Sequence, residues 1–140
     1  MVAIDTTIET AIWSGGGSET SVRTYIVIGP KTGYPYPPTT HVSAMAYKDP
    51  GYIVVSTLGD VTGKGLLDEE VTVANTANGT VCRVGRHRSY GKKNTHLPQP
   101  YWAESHAVPS PSGTRILFAS DWQNNPTVDT YVIELPSYKK

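Results

Sequence analysis

The sequence predicts an all-β protein, and its turn residues, its strand-like runs and an internal repeat support this prediction. Eleven prolines and 13 glycines are spread along the 140 residues, so little room is left for a long helix. The runs between them are short and rich in valine, isoleucine, threonine and tyrosine, which is typical of strands. The best helix candidate, Gly65–Glu70, is too short to be stable without tertiary contacts.

The composition is that of an ordinary globular protein. Hydrophobic residues make up 38% of the chain, and 12 basic residues balance 12 acidic ones, so no net field favours nucleic acid or an anionic membrane. No apolar run approaches the roughly 20 residues that span a bilayer. The N-terminus shows no basic and apolar regions of a secretion signal. Because Cys82 is the single cysteine, an intrachain disulfide and a cysteine-rich zinc site are excluded.

Several runs are predicted to be strands, and tight turns join some of them. The predicted strands are Ile12-Trp13, Arg23–Ile28, Tyr52–Thr57, Glu70–Ala74, Thr80–Val84, Arg115–Ser120 and Thr130–Leu135. Because Arg115–Ser120 is mostly apolar, we expect both of its faces to be covered. Proline and glycine predict turns at Lys48–Gly51 and Ser110–Gly113. The pair Asn78-Gly79 predicts a hairpin with a two-residue loop.

The predicted strands belong to a repeat. His41 precedes a short strand, a glycine turn and an apolar strand that reaches a serine and then Asp60. His106 precedes the same series, which ends at Asp121. A polar loop and a further strand follow in both cases. A third, degraded copy lies upstream, so we predict one domain over residues 1–140 with blade-like repeats at about 1–38, 39–88 and 103–140.

The segment His106–Trp122 resembles a blade of the TolB-like β-propellers, a WD40-like repeat family. Such blades carry a histidine before a short strand, a Ser-Pro-Asp-Gly turn, and an apolar strand that ends in Ser-Asp. Here the turn at 110–113 reads Ser-Pro-Ser-Gly, with serine in place of aspartate. The resemblance is good over 103–135, fair over 41–86 and weak before 30. It implies antiparallel propeller blades and favours an extracytoplasmic location without fixing the compartment, and it implies no particular activity.

About three blades are too few for a closed ring, because propellers close with about four to eight. An incomplete ring leaves open sheet faces with apolar surface and unpaired edges. Three explanations stay open: the chain belongs to a longer propeller, it completes a ring by self-association, or it closes as a non-propeller sandwich. The expected partners are therefore further copies of the chain or the remainder of a longer propeller, with no nucleic acid and no membrane span.

Histidines, one arginine and loop aromatics are the candidates for ligand binding. His41 and His106 hold equivalent repeat positions, which in a propeller face the central channel or the top rim, although repetition alone also explains the pair. Arg86 lies in the densest basic stretch, which suits an anionic group or forms a solvated loop. Aromatic rings in loops form a carbohydrate groove or pack between blades. The candidate ligand-binding residues are His41, Arg86, Tyr90, Tyr101, Trp102 and His106.

A distant similarity to oligogalacturonate-lyase propellers suggests a metal site. That family binds its metal through a histidine of one blade and a Gln-x-x-His-x-His cluster of a later blade. Residues 99–106 read Gln-Pro-Tyr-Trp-Ala-Glu-Ser-His, so Gln99 is too distant and Glu104 replaces the first clustered histidine. The similarity gives His41, Glu104 and His106 as candidate ligands of a divalent cation such as Mn, Fe or Zn. Apart from this cation, no cofactor is expected.

The sequence contains no nucleophile motif and no phosphate-binding loop, so no catalytic residue is assigned. We therefore expect a non-catalytic binding or interaction module of propeller type, for a carbohydrate or a protein partner. Two alternatives stay open. One is a metal-assisted polysaccharide lyase or glycosidase-like enzyme, with His41 and His106 as ligands or acid/base groups and Arg86 pairing a sugar carboxylate. The other is a self-assembling structural subunit whose blade edges join copies.

Overall fold

The computed structural model describes residues 2–3, 25–26, 40–44, 48, 51–75 and 78–136. The strands in these segments are β1 (Val2–Ala3), β2 (Tyr25–Ile26), β3 (Thr40–Ser43), β4 (Tyr52–Thr57), β5 (Glu70–Asn75), β6 (Val81–Arg86), β7 (Val108–Pro109), β8 (Arg115–Ser120) and β9 (Asp129–Glu134). Two 3₁₀ turns, Gly91–Lys93 and Pro100–Ala103, lie between β6 and β7. No helix in these segments is long and apolar enough to cross a membrane. The all-β class predicted from the sequence is confirmed.

Two antiparallel sheets form most of the described fold. The first sheet has four strands in the order β3-β4-β5-β6, and the second has three in the order β7-β8-β9. Within each sheet every strand pairs with its neighbour in sequence, so the chain runs through each sheet as a meander. Separately, β1 pairs in parallel with β2.

The two antiparallel sheets share one hydrophobic core. Val54 and Val71 of the first sheet pack with Ile116 and Phe118 of the second, and Ala107 joins them just before β7. None of these five side chains is more than 5% exposed. Partly buried neighbours extend the cluster: Val73, Val84, Tyr131, Ile133 and Leu135. Burying a large apolar side chain contributes about 1.5–3 kcal/mol, so this shared core holds the sheets together.

Strand β8 is covered on one face only, so the prediction that both faces are covered is wrong. Side chains alternate between the faces of a strand, and Ile116 and Phe118 point toward the first sheet while Leu117 remains 44% exposed. Val132, which lies directly opposite Leu117 on β9, is 54% exposed. The second sheet therefore presents an apolar patch of Leu117 and Val132 on the face that points away from the core.

The predicted strands agree closely with the observed ones where the structure describes them. β4 and β8 have the predicted bounds. The bounds of β5, β6 and β9 differ from the predicted ones by at most two residues at either end. Of the predicted strand Arg23–Ile28, the described part is Tyr25–Ile26. The predicted strand Ile12-Trp13 lies outside the described residues. Patterned runs of β-branched residues between turns are therefore enough to locate these strands.

The best helix candidate in the sequence, Gly65–Glu70, forms no helix, because residues 66–69 form a turn and Glu70 begins β5. Leu67 and Glu69 have positive φ angles of 65° and 51°, and left-handed residues interrupt a right-handed helix. The carboxylate of Asp68 accepts the backbone N–H of Asp60 at 2.8 Å, which fixes the loop from within. The result is an ordered loop that connects β4 to β5.

Two of the three predicted turns lie in well-described parts of the chain. Ser110–Gly113 forms its turn, with the Gly113 N–H donating to the Ser110 carbonyl at 2.8 Å. The loop at Asn78-Gly79 differs from the predicted two-residue turn, because residues 76–80 separate β5 from β6. Gly79 has φ 75° there, and its N–H donates to the Asn75 carbonyl at 2.8 Å. The predicted turn Lys48–Gly51 falls partly outside the described residues.

Candidate functional site

The three candidate metal ligands come together where the two antiparallel sheets meet. His41 lies on β3, Glu104 follows the second 3₁₀ turn, and His106 stands two residues before β7. One ligand atom from each lies within 4.8 Å of the other two. Ligand atoms that share one ion lie roughly 3–4 Å apart, so small side-chain rotations bring these three into range. We call these three residues the His-Glu-His cluster.

Backbone pairing explains how the cluster forms. His41 pairs with Ser56 on β4. The Ser56 hydroxyl accepts the backbone N–H of Ala107 at 3.2 Å, which fastens the segment before β7 to the first sheet. His106 has a positive φ of 42°, and left-handed non-glycine residues are often found at functional sites. Together these features place the two histidines of the repeat against each other.

The Glu104 carboxylate is buried but incompletely hydrogen-bonded. Its side chain is 1% exposed, and Oε2 lies 2.7 Å from Nε2 of His41. The other oxygen, Oε1, is buried without a hydrogen-bond partner. Lys92 Nζ lies 3.7 Å from Oε1, beyond hydrogen-bond distance. A buried polar atom left unsatisfied costs about 1–3 kcal/mol, and more when charged. Direct coordination of a cation would satisfy Oε1.

The two imidazole rings of the cluster lie almost in contact. Their centroids are 3.7 Å apart, and their planes are inclined by 38°. Burial lowers the pKa of His106, the neighbouring His41 lowers it further, and the Glu104 carboxylate partly opposes both effects. The His106 ring is therefore neutral at pH 7. The neutral imidazole is the form that binds a metal ion.

Two exposed aromatic rings flank the cluster. The Tyr101 ring lies edge-on to His106, with centroids 5.3 Å apart, and the Trp102 ring lies 5.8 Å from that of Tyr101. These side chains are 46% and 64% exposed. Exposed aromatic rings beside polar groups are typical of binding surfaces. Four of the six candidate ligand-binding residues therefore lie together: His41, Tyr101, Trp102 and His106.

The remaining two candidates lie outside this group. Tyr90 lines a surface pocket together with Leu58 and Lys92, and Lys92 connects this pocket to Glu104. Arg86 stands at the end of β6, at the opposite edge of the first sheet from β3. Three strand spacings separate those edges, which is roughly 14 Å. The structure therefore places Tyr90 beside the site and Arg86 away from it.

Gly91 and Lys92 belong to the site, and the sequence analysis missed both. Gly91 has φ 51°, and a Cβ atom there would lie 2.7 Å from Cδ1 of Leu58 and 3.3 Å from Cγ of Glu104. Glycine therefore favours the close approach of the first 3₁₀ turn to Glu104, because any side chain at position 91 would require Leu58 to move. The sequence signal was the basic stretch that contains Lys92, but nothing in it indicated contact with an acidic residue twelve positions away.

Asp121, the aspartate of the repeat motif, holds the loop that carries Tyr90 and Lys92. Its carboxylate is buried, with one oxygen accepting the backbone N–H of Tyr90 at 2.9 Å and the other accepting the side-chain amide of Asn94. The Asn94 amide also donates to the Asn125 carbonyl at 3.0 Å. The role of Asp121 is therefore to position a loop beside the site.

His87 is a structural histidine. It is fully buried, its Nε2 donates to the Thr57 carbonyl at 2.9 Å, and its Nδ1 accepts the Ser89 N–H at 3.0 Å. Burial lowers the pKa of His87 to about 4, although the bond to Thr57 and the charge of Asp121 act in the opposite direction. The ring is therefore neutral at pH 7 and joins the end of β4 to the chain that follows β6.

Glu69 is another buried carboxyl group, outside the His-Glu-His cluster. It is 3% exposed, and its Oε1 has no hydrogen-bond partner. Burial raises the pKa of Glu69 to about 7, while the positive charges of Arg86 and Arg88 only partly oppose this shift. The backbone N–H of Glu69 donates to the Leu58 carbonyl, and the Glu69 carbonyl accepts the backbone N–H of His87. This titratable residue therefore closes the loop between β4 and β5.

No protein-family model matches the sequence, and no curated protein is similar to it. The geometry of the His-Glu-His cluster and its surroundings is therefore the basis for assigning a function.

Proposed function

We propose that this chain is a binding module that holds one divalent cation through His41, Glu104 and His106. The observation that carries this proposal is the Glu104 carboxylate, which is buried beside two imidazoles with one oxygen unsatisfied. Two imidazoles and a carboxylate suit Zn, Mn or Fe. A purely structural role would leave Glu104 Oε1 without a hydrogen bond, with only the Lys92 ammonium 3.7 Å away, whereas coordination satisfies this oxygen.

We propose further that the ligand of the module is a carbohydrate, received by Tyr101 and Trp102 beside the cation. Both rings are exposed and offer the flat apolar faces on which sugar rings stack. Tyr101 contacts the cluster through His106, and Trp102 packs against Tyr101. Imidazole and carboxylate ligands leave coordination positions open when only three residues bind a cation. Sugar hydroxyls can fill these positions while the aromatic rings hold the sugar face.

The cation proposal predicts one binding site per chain. After treatment with a chelator, calorimetric titration with Zn²⁺ or Mn²⁺ should give one bound ion, and Glu104→Gln should weaken binding at least about 100-fold, because it removes the single anionic ligand. Glu134→Gln is the matched control, since Glu134 is 72% exposed and pairs with Arg115. A native chain that binds neither ion, or a Glu104→Gln variant with undiminished affinity, would contradict the proposal.

The carbohydrate proposal predicts a cation-dependent interaction that needs Trp102. With the cation bound, Trp102→Ala should weaken binding to the best ligand found on a glycan array about 5-fold, since a stacked aromatic pair contributes about 1 kcal/mol. Tyr52→Ala is the control, because Tyr52 is an aromatic residue that is 45% exposed but lies at the far end of β4 from the Ser56–His41 pair. If both variants lose the same amount of carbohydrate affinity, the sugar does not stack on Trp102.

We also propose that the two antiparallel sheets are successive blades of a propeller of the TolB-like kind. The strand register of the two sheets supports this proposal. In each sheet, the residue two positions after the repeat histidine lies on the first strand, and it begins a row of three directly opposed residues on adjacent strands. The equivalent rows are Ser43–Val54–Val73 and Val108–Leu117–Val132. The first strands of the two sheets, β3 and β7, also contact each other, as the innermost strands of neighbouring blades do.

This equivalence favours self-assembly as a second function. In the first sheet, Val54 and Val73 lie on the face that packs against the second sheet. The equivalent residues of the second sheet, Leu117 and Val132, are the exposed apolar patch. Because the same positions are covered in one sheet and open in the other, we assign the open face to a blade of a second copy of the chain.

Self-assembly through this patch is expected to be sensitive to charge. Val132→Lys should shift the monomer–oligomer equilibrium toward monomer at least about 10-fold, because it places a charge in the apolar contact. Light scattering over a range of protein concentrations measures the shift. Thr62→Lys, in the exposed loop between β4 and β5, is the control for added charge. A native chain that stays monomeric at every concentration would overturn this assignment.

A further inference from the structure

One side chain stands opposite the unsatisfied oxygen of the cluster. Lys92 Nζ lies 3.7 Å from Oε1 of Glu104, the oxygen that has no hydrogen-bond partner. The ammonium thus supplies positive charge at this oxygen without a hydrogen bond. The other oxygen of the same carboxylate faces His41 at 2.7 Å. Lys92 therefore stands close to where a cation bound by Oε1 would place its charge.

The backbone of Lys92 is held in place, and its side chain is largely exposed to solvent. Gly91 packs against Glu104 and Leu58 so closely that a Cβ atom would collide with Leu58. The Asn94 N–H donates to the Gly91 carbonyl at 2.9 Å, which closes the 3₁₀ turn. The Lys92 side chain, in contrast, is 65% exposed. A fixed backbone and a solvent-exposed ammonium suit a group that occupies a position reversibly.

Resting on the proposed cation site, we propose that Lys92 is a built-in competitor of the cation for Glu104. The ammonium neutralises the carboxylate when no cation is bound, and a divalent ion displaces it because the ion coordinates Oε1 directly and carries twice the charge. The displaced ammonium is repelled by the bound ion and moves into solvent. Lys92 therefore sets the cation concentration at which the site fills.

Competition predicts that removing the Lys92 charge strengthens cation binding. Lys92→Met keeps the length of the side chain and should lower the dissociation constant for Zn²⁺ or Mn²⁺ about 3- to 10-fold at low salt, the range expected for a partly screened charge. The difference should shrink at about 0.5 M NaCl. Lys93→Met is the matched control, since Lys93 lies on the same turn but within 4.0 Å of Asp60.

The possible results distinguish the proposed role of Lys92 from the cation site on which it depends. Tighter binding in Lys92→Met and native affinity in Lys93→Met support the competitor. Equal affinities in native chain and Lys92→Met, or equal tightening in both variants, overturn the competitor and leave the cation site standing. If none of the three proteins binds either ion, the cation site itself fails and the competitor fails with it.

Discussion

Replacing Glu69 by glutamine should raise the free energy of unfolding at pH 8 by on the order of 3 kcal/mol and leave it nearly unchanged at pH 4. The pKa of Glu69 is raised to about 7 in the folded protein, chiefly by burial, from an ordinary value of 4.5. Between about pH 4.5 and pH 7 the carboxyl group of Glu69 therefore keeps its proton in the folded state, whereas it has lost this proton in the unfolded state. The native chain therefore loses stability as pH rises from about 4.5 to 7, and glutamine removes that loss.

Urea unfolding of native and variant chains at several pH values measures this difference. Glu134→Gln is the control, because Glu134 is exposed at the end of β9. If native chain and Glu69→Gln give stability curves separated by a constant amount at every pH, then Glu69 does not titrate as described. After correction for the intrinsic rise of amide exchange with pH, the loop between β4 and β5, which Glu69 closes, should also have lower protection factors at pH 8 than at pH 5 in the native chain.

His87 should produce the opposite pH dependence, and the Glu69→Gln variant should reveal it. Burial lowers the pKa of His87 from 6.5 to about 4, so between these values the unfolded state binds a proton that the folded state does not. Stability is therefore complete above about pH 6.5 and is lost as pH falls through this window toward 4. In Glu69→Gln, lowering the pH from 7 to 4 should cost on the order of 3 kcal/mol.

In the native chain the two effects oppose each other between about pH 4.5 and 6.5, so its stability should be nearly flat there. The same urea series tests both expectations. Nuclear magnetic resonance supplies a direct check, because the His87 ring protons should shift with a midpoint near pH 4. A midpoint near 6.5, or a Glu69→Gln curve as flat as that of the native chain, would contradict this account of His87.

Local pattern was sufficient to predict the strands but not what covers them. β4 and β8 have the predicted bounds because β-branched runs between turn residues determine where a strand lies. Whether Leu117 is covered depends on whether another sheet packs against that face of β8. This cannot be deduced from the apolar residues of the strand alone. The helix candidate Gly65–Glu70 forms a turn for a related reason. Side-chain bonds from Asp68 to Asp60 and Gly65 stabilise a left-handed turn that helix propensity does not describe.

Only the site residues that occupy equivalent positions of the repeat could be grouped correctly from the sequence. His41 and His106 were paired by equivalent repeat positions, and stacked sheets bring equivalent positions together. Arg86 was grouped with them from its charge, yet three strand spacings of the first sheet separate it from β3. Lys92 was missed because its contact with Glu104 depends on a glycine turn whose geometry only the fold reveals.

A nitrogen-detected spectrum of the histidine rings with one equivalent of Zn²⁺ tests the proposed cation site directly. Coordination shifts the resonance of the nitrogen that binds the ion. We expect the rings of His41 and His106 to shift and those of His87 and His96 not to shift, and we expect Glu104→Gln to abolish the shifts at the same zinc concentration. Unshifted rings at His41 and His106, or a shift confined to the exposed His96, would contradict a divalent-cation site at the junction of the two sheets.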